Sequence, residues 1–176
     1  GEELEERRCI LTSESSFLER FADSGFKTKW SGFWIPPFKF MDYYAYKVNG
    51  NWLSHESVDS FTIQPGLALW DYLTDGLNIR EYMFVWKNSF LSLLEIKNTS
   101  DDKKALSMCM EFAVDFRPNS KDISNAKYVT DFNEARASIN VSDRKSDLSA
   151  MVGKAKSGKG KVEWEEENRY REHYPQ

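Results

Sequence analysis

Residues 105–116 read Ala105-Leu-Ser-Met-Cys-Met-Glu-Phe-Ala-Val-Asp-Phe116. Leu106, Met108, Met110, Phe112, Val114 and Phe116 fall on every second position, and Ser107, Glu111 and Asp115 on the other parity. Period two is the mark of a strand with one buried face, because successive side chains leave opposite sides of the pleat. A helix would scatter the same residues around its circumference. The pattern predicts a strand with Leu106, Met110, Phe112 and Val114 in the core. On that reading Phe112→Ala costs about 3–5 kcal/mol and Glu111→Ala about 0.5 kcal/mol or less.

The same period extends upstream. Residues 77–86 carry Leu77, Ile79, Met83 and Val85 on one parity and Tyr82, Phe84 and Trp86 on the other, which predicts a central strand covered on both faces. Asp75-Gly76 before it and Asn49-Gly50 further back supply the positive φ values of tight hairpin turns. Pro65-Gly66, Lys87-Asn88 and the polar run 98–104 mark further turns between residues 61–63, 67–74, 77–86, 90–97 and 105–116. Weaker strands are predicted at 128–132 and 136–141. Ser13 followed by Phe17, Leu18 and Phe21 has the look of a capped helix over residues 14–22. Pro36-Pro37 forces an extended passage between Trp34 and Phe38.

Successive hairpins without long intervening helices predict a mainly β fold, an antiparallel β-sandwich with one short N-terminal helix. Its expected organisation is an N-terminal segment (1–25), a sandwich core (26–142) and a flexible, charged C-terminal segment of the same domain (143–176), with a short helix or strand around residues 162–164. A chain of 176 residues can bury a single core without disulfides or metals. Aromatic residues make up 15% of it (12 Phe, 8 Tyr, 6 Trp), and such side chains suit half-buried pleated surfaces.

A net charge of −4 gives no broad basic field for nucleic acid or an anionic membrane, so neither is expected as a partner. Residues 1–8 are too charged for a signal sequence and no apolar run matches a membrane span. Cys9 and Cys109 lack CxxC spacing, and a reduced, cytoplasmic setting is the simpler expectation. The sequons at Asn98 and Asn140 matter only in a secreted chain.

Several chemical signatures stop short. Residues 153–160 approach a phosphate-binding loop, but Gly160 stands where a metal-holding Ser or Thr belongs. His55 and His173 have no companions at ligand spacing, so no metal and no cofactor are expected. No GxSxG elbow supports a nucleophilic triad. Glu111 and Asp115 share a strand face and could in principle act as a carboxylate pair, but they read as a solvent-facing stripe, and no catalytic residue is assigned. Trp30, Trp34, Tyr43, Tyr44 and Trp52, with Trp70, are candidates for a sugar-stacking platform, since pyranose C–H faces pack on aromatic rings; core packing is the rival.

Lys29-Trp-Ser-Gly-Phe-Trp-Ile-Pro-Pro-Phe-Lys-Phe-Met-Asp-Tyr-Tyr44, followed by the Asn49-Gly50 turn, resembles the start of archaeal glycogen-debranching-enzyme-related proteins of the amylo-α-1,6-glucosidase family. Asp75 to Trp86, the strand ending at Asn98-Thr99, the strand closing on Phe116-Arg117 and the hairpin around residues 132–141 follow in the order seen in that family. A glycine-rich segment common near the start of many relatives is not present, and Lys29 to Gly32 stands in its place. The resemblance implies a non-catalytic super-sandwich domain, galactose-mutarotase-like in fold. It also implies a following helical toroid in the same polypeptide, whose acid and base cleave α-1,6 branches of α-glucans. A stand-alone carbohydrate-binding module using exposed aromatics is the alternative, and a self-contained hydrolase or epimerase is a third reading.

Overall fold

In a computed structural model the described residues are residue 4, 6–121 and 125–153. Among the described residues thirteen antiparallel strands form three sheets. The first contains β1 (Arg8–Thr12), β2 (Phe17–Phe21), β3 (Gly32–Ile35), β4 (Phe38–Val48) and β10 (Met108–Pro118) in the order β1-β2-β3-β4-β10, with the short β5 (Asn51–Trp52) also pairing on β4. The second runs β6 (Val58–Gln64), β7 (Leu67–Thr74), β8 (Leu77–Trp86), β9 (Ser89–Asn98) in sequence order. The third joins β11 (Tyr128–Asn133), β12 (Ser138–Asp143) and β13 (Ser149–Gly153). The mainly β, sandwich-like class expected from the sequence is therefore the fold.

The turn chemistry works as the residue types dictate. Asn49 and Gly50, and Asp75 and Gly76, all take positive φ, and Val48 faces Asn51 and Thr74 faces Leu77 across those turns. Lys87 also has positive φ, in the turn between β8 and β9. Gly32 has a structural role of another kind. A Cβ there would lie 2.1 Å from the Met41 carbonyl oxygen, so the close approach of β3 to β4 admits no side chain. The Pro36–Pro37 bond between these strands is cis.

The core lies between the six- and four-stranded sheets. Leu11, Leu18, Phe33, Tyr44 and Val48 come from one side, and Ala68, Trp70, Tyr72, Ile79 and Met83 from the other. The Phe90 ring packs 5.3 Å from Phe33 and 5.5 Å from Tyr44, and Trp70 Nε1 donates to the Ala22 carbonyl across the gap at 2.9 Å.

Three expectations are corrected. Residues 14–22 are not a helix: Phe17–Phe21 is strand β2, hairpinned to β1, which the sequence reading missed. Phe17, Leu18 and Phe21 fit helical spacing only because β2 buries both faces, Leu18 inward and Phe17 stacked on Trp34 at 6.0 Å. The Ser13 hydroxyl does accept from the Ser15 and Ser16 amides, as a cap would, but it closes a turn. Secondly, the third sheet gains a strand, β13, where a flexible segment was expected; residues 154–176, including the expected element at 162–164, lie outside the described residues.

Thirdly, residues 108–118 form a strand as read, but one at the edge of its sheet. Leu106 is 52% exposed and Met110, Phe112 and Val114 are only half-buried; of that parity Phe116 alone is deep. Bulges on either side of Val114 also break the alternation, so Glu111 and Asp115 do not continue one regular face.

Candidate functional site

Two clusters of buried charge and one apolar surface stand out. The first cluster bolts the two main sheets together. Arg20 on β2 reaches Glu81 on β8, Nη1 to Oε2 at 2.8 Å, and its Nε donates to the Ser24 carbonyl at 2.9 Å. The Glu81 carboxylate also accepts from the Tyr44 hydroxyl at 2.5 Å, the Tyr72 hydroxyl at 2.9 Å and Ser92 Oγ at 2.7 Å, and Tyr46 donates to Ser92. The guanidinium sits over Trp70, 4.6 Å from the ring centroid. Burial would push the Glu81 carboxyl up, but the Arg20 charge and the hydrogen bonds from Tyr44 and Ser92 outweigh it and hold Glu81 below the usual carboxylate range. Burial drives Tyr44 well above the ordinary phenol value. Arg20, Tyr44, Tyr46, Tyr72 and Glu81 are buried and Ser92 is half-buried, so the cluster specifies how the sheets stack.

The second cluster lies beneath Trp34. Lys39 Nζ donates to Asp42 Oδ1 at 2.5 Å, and Arg117 Nε donates to Asp115 Oδ2 at 2.7 Å. Arg117 Nη1 reaches the Lys121 carbonyl at 2.7 Å and Nη2 the Lys29 carbonyl at 2.5 Å. Lys39 and Arg117 both lie against the Trp34 ring, at 5.8 and 5.3 Å. Burial lowers the Lys39 pKa despite the pull of Asp42. This cluster ties the loop around Lys29 to the end of β10. Asp115, a candidate acid from sequence, is thereby held in an ion pair, and Glu111 accepts a 2.7 Å hydrogen bond from the Tyr43 hydroxyl.

The proposed sugar platform does not assemble. Trp34, Tyr43 and Tyr44 are buried, as is Trp70, and their rings belong to the packing described above. Trp30 is 42% exposed but leans on Trp34, 5.7 Å between centroids, with Lys29 over it. Trp52 is half-buried at the far end of β4 beside Lys47. Trp34 pairs with Lys39 and Trp52 with Lys47, so at strand rise the backbones of Trp34 and Trp52 are about 25 Å apart along β4. Cys9 and Cys109 are both free; burial pushes the Cys9 thiol up to about 11, whereas Cys109 is exposed. His55 is half-buried, and His173 and most of the glycine- and lysine-rich run lie outside the described residues. Among the described residues no group of three His, Cys, Asp or Glu side chains could hold a metal, and no helix is long and apolar enough to cross a membrane.

The apolar surface is the outer face of the four-stranded sheet. Register places Leu69, Tyr82 and Leu93 side by side across β7, β8 and β9, with Phe84 opposite Leu91 in the next row. Trp86 ends β8 at 64% exposure and Leu93 is 56% exposed. At the other end of the same face Asp71, Arg80 and Glu95 are in register, Arg80 Nε donating to Asp71 at 2.7 Å and Tyr82 donating to Glu95 at 2.8 Å. One half of the face is thus apolar and the other a charged row. The sequence reading took Tyr82, Phe84 and Trp86 as the second buried face of a central strand. β8 is central, but among the described residues nothing covers that face.

No protein-family model, curated protein or solved structure matches this chain.

Proposed function

We propose that the chain is a non-catalytic β-sandwich module of a cytoplasmic, carbohydrate-active enzyme related to glycogen-debranching enzymes, packing on a separate helical catalytic domain of the same polypeptide that cleaves α-1,6 branches. The observation that carries its role as a packing module is the half-apolar outer sheet face. A contiguous apolar patch in which Trp86, Leu91 and Leu93 are exposed and Leu69, Tyr82 and Phe84 half-buried, with a charged row at one end, is the mark of a docking surface in a folded domain. The enzyme class comes from the ordered sequence resemblance alone. Consistent with a supporting role, Asp42, Glu81 and Asp115 are committed to ion pairs with Lys39, Arg20 and Arg117.

Mixing the chain with the separately produced helical region of its polypeptide tests the reading. A partner that binds only the folded module raises its melting temperature in proportion to the logarithm of partner concentration. Mutual stabilisation is the expected result, with no glucan hydrolysis by the chain alone. Independent melting of the two parts, or hydrolysis by this chain, would overturn it. Against the alternative of a free sugar-binding module, tryptophan fluorescence should stay flat on titration with maltooligosaccharides to about 10 mM, above the weak end of ordinary affinities.

A further inference from the structure

The two main sheets are out of step on one flank, where the six-stranded sheet ends on β10 and the four-stranded one on β9. β9 lies under β3 and β4, since the Phe90 ring packs on Phe33 and Tyr44 and Ser92 Oγ accepts from the Tyr46 hydroxyl at 2.9 Å. β10, one strand further out, therefore overhangs the end of the four-stranded sheet. Met108, Met110 and Phe112 stand opposite Val48, Tyr46 and Tyr44 in register, so they share the core-facing side. Yet Val48, Tyr46 and Tyr44 are buried, while Met108 is 50% exposed and Met110 and Phe112 only half-buried. The inner face of β10 and the edge of β9 meet in a step one strand wide.

Backbone alternation shows what the β9 edge offers. Thr99 N–H donates to the Gly76 carbonyl at 2.9 Å, which sets the odd positions of β9 toward β8. Phe90, Ser92, Leu94 and Ile96 accordingly direct their N–H and C=O groups to the free side, where among the described residues no strand pairs. Folded domains blunt such edges with proline, inward-pointing charge, bulges or short strands. β9 has none of these: it runs ten residues in unbroken register with β8, without proline, and turns Phe90, Ser92, Leu94 and Ile96 inward. Other edges are blunted. β1 has five residues, and the pairing of β6 is irregular between Val58 and Ser60. The edge of β10 itself carries bulges on both sides of Val114 and the Tyr128 hydroxyl, which accepts from Phe116 N–H at 3.1 Å. The opening is thus beneath β10 and not beside it.

We propose that this step binds one extended segment of a partner protein, which pairs antiparallel with β9 as a fifth strand and lies beneath β10. Segment residues opposite Phe90, Ser92, Leu94 and Ile96 exchange backbone hydrogen bonds with them and turn their side chains under Met108, Met110 and Phe112. Those positions take apolar residues. The positions between them lie on the outer side beside Leu91, Leu93 and Glu95, where a lysine or arginine meets the Glu95 carboxylate. A second folded copy does not fit, because the overhanging β10 strands collide before two β9 edges meet. Residues 154–176 lack the chemistry: only Val162 and Trp164 are apolar at successive alternate positions, and Glu163, Glu165, Glu166 and Glu167 would crowd four carboxylates near Glu95. The occupant is a strand of a different polypeptide, apolar at every second residue and basic opposite Glu95.

The probe is a synthetic ten-residue peptide with valine at alternate positions, threonine between them and lysine opposite Glu95. A second peptide has proline at two of the valine positions and so lacks the N–H groups that pair. Amide hydrogen exchange of the whole chain reads the result. In the free chain Ser92, Leu94 and Ile96 should exchange about ten-fold or more faster than Leu91 and Leu93, at every chain concentration. The first peptide at about 1 mM should slow them about ten-fold or more, and the proline peptide should not. Met108→Asp, which puts charge on the underside of the overhang, should weaken the peptide about ten-fold or more, while Ile63→Asp on the opposite flank leaves it unchanged. Ser92, Leu94 and Ile96 as slow as Leu91 and Leu93 in the free chain would mean that the chain fills the step itself, and would overturn the proposal. So would protection that rises with chain concentration alone, which marks a second copy. Absence of protection by the first peptide, equal protection by both peptides, or full affinity in folded Met108→Asp would overturn it as well. The two peptides are compared on the unaltered chain, so misfolding of a variant cannot rescue the idea.

Discussion

Arg20 and Glu81 meet between the sheets with solvent excluded from both, and a buried pair of this kind punishes the loss of one partner more than the loss of both. Arg20→Met leaves the Glu81 carboxylate buried without its counter-charge and should cost about 3–5 kcal/mol in urea unfolding. Arg20→Met/Glu81→Met should cost less than the sum of the two single changes. The pair also sets an acid limit. Glu81 is held below its unfolded value of about 4.3. Its contribution is therefore fully present above that pH and is lost as pH falls through the lower folded value. Melting temperature should drop as pH falls below about 4.3, and Glu81→Gln should flatten that drop; parallel profiles would contradict the assignment. The sequence held half of this. Glu81 interrupts the apolar parity of Leu77, Ile79 and Met83, a visible anomaly, but its partner sixty-one positions away is brought there only by sheet stacking.

The hairpins were legible because their turns depend on local φ values that few residues tolerate: Asn49-Gly50 and Asp75-Gly76 each announce themselves. β2 was misread because burial on both faces removes the period that separates strand from helix over five residues. β10 kept its period yet lost its depth, since alternation reports which side of a strand faces inward and not whether another sheet lies opposite. Phe112→Ala is accordingly expected to cost about 1–2 kcal/mol, below the range for a fully buried Phe. Glu111→Ala removes a charge-assisted hydrogen bond from Tyr43 and should cost about 1.5 kcal/mol, no longer a negligible surface change. Gly32 gives a sharper contrast. Gly32→Ala drives a methyl into the Met41 carbonyl and should cost about 3 kcal/mol or more, whereas Gly50→Ala, with open space around its Cβ, should cost about 1 kcal/mol for positive φ alone. Urea midpoints rank all four; equal losses at the two glycines would remove the steric argument.

At the scale of the whole molecule, the sandwich class follows from consecutive hairpins, but which aromatics are exposed does not. Trp34, Tyr43 and Tyr44 looked like a sugar platform because they crowd together in sequence, and that crowding is what β3 and β4, two neighbouring strands inside the sheet, need for their own packing. Trp86, expected to be covered, lies with Leu91 and Leu93 on the surface left open. That this surface is a docking face is tested most directly by calorimetric titration of the chain into the helical domain proposed as its partner, with wild type compared to Phe84→Asp/Leu93→Asp. The expected result is a dissociation constant of about 1 µM or tighter for wild type, weakened at least a hundred-fold by the double substitution while the sandwich melts within a few degrees of its normal temperature. No heat at about 100 µM of both folded partners, or equal affinity of the double variant, would contradict it.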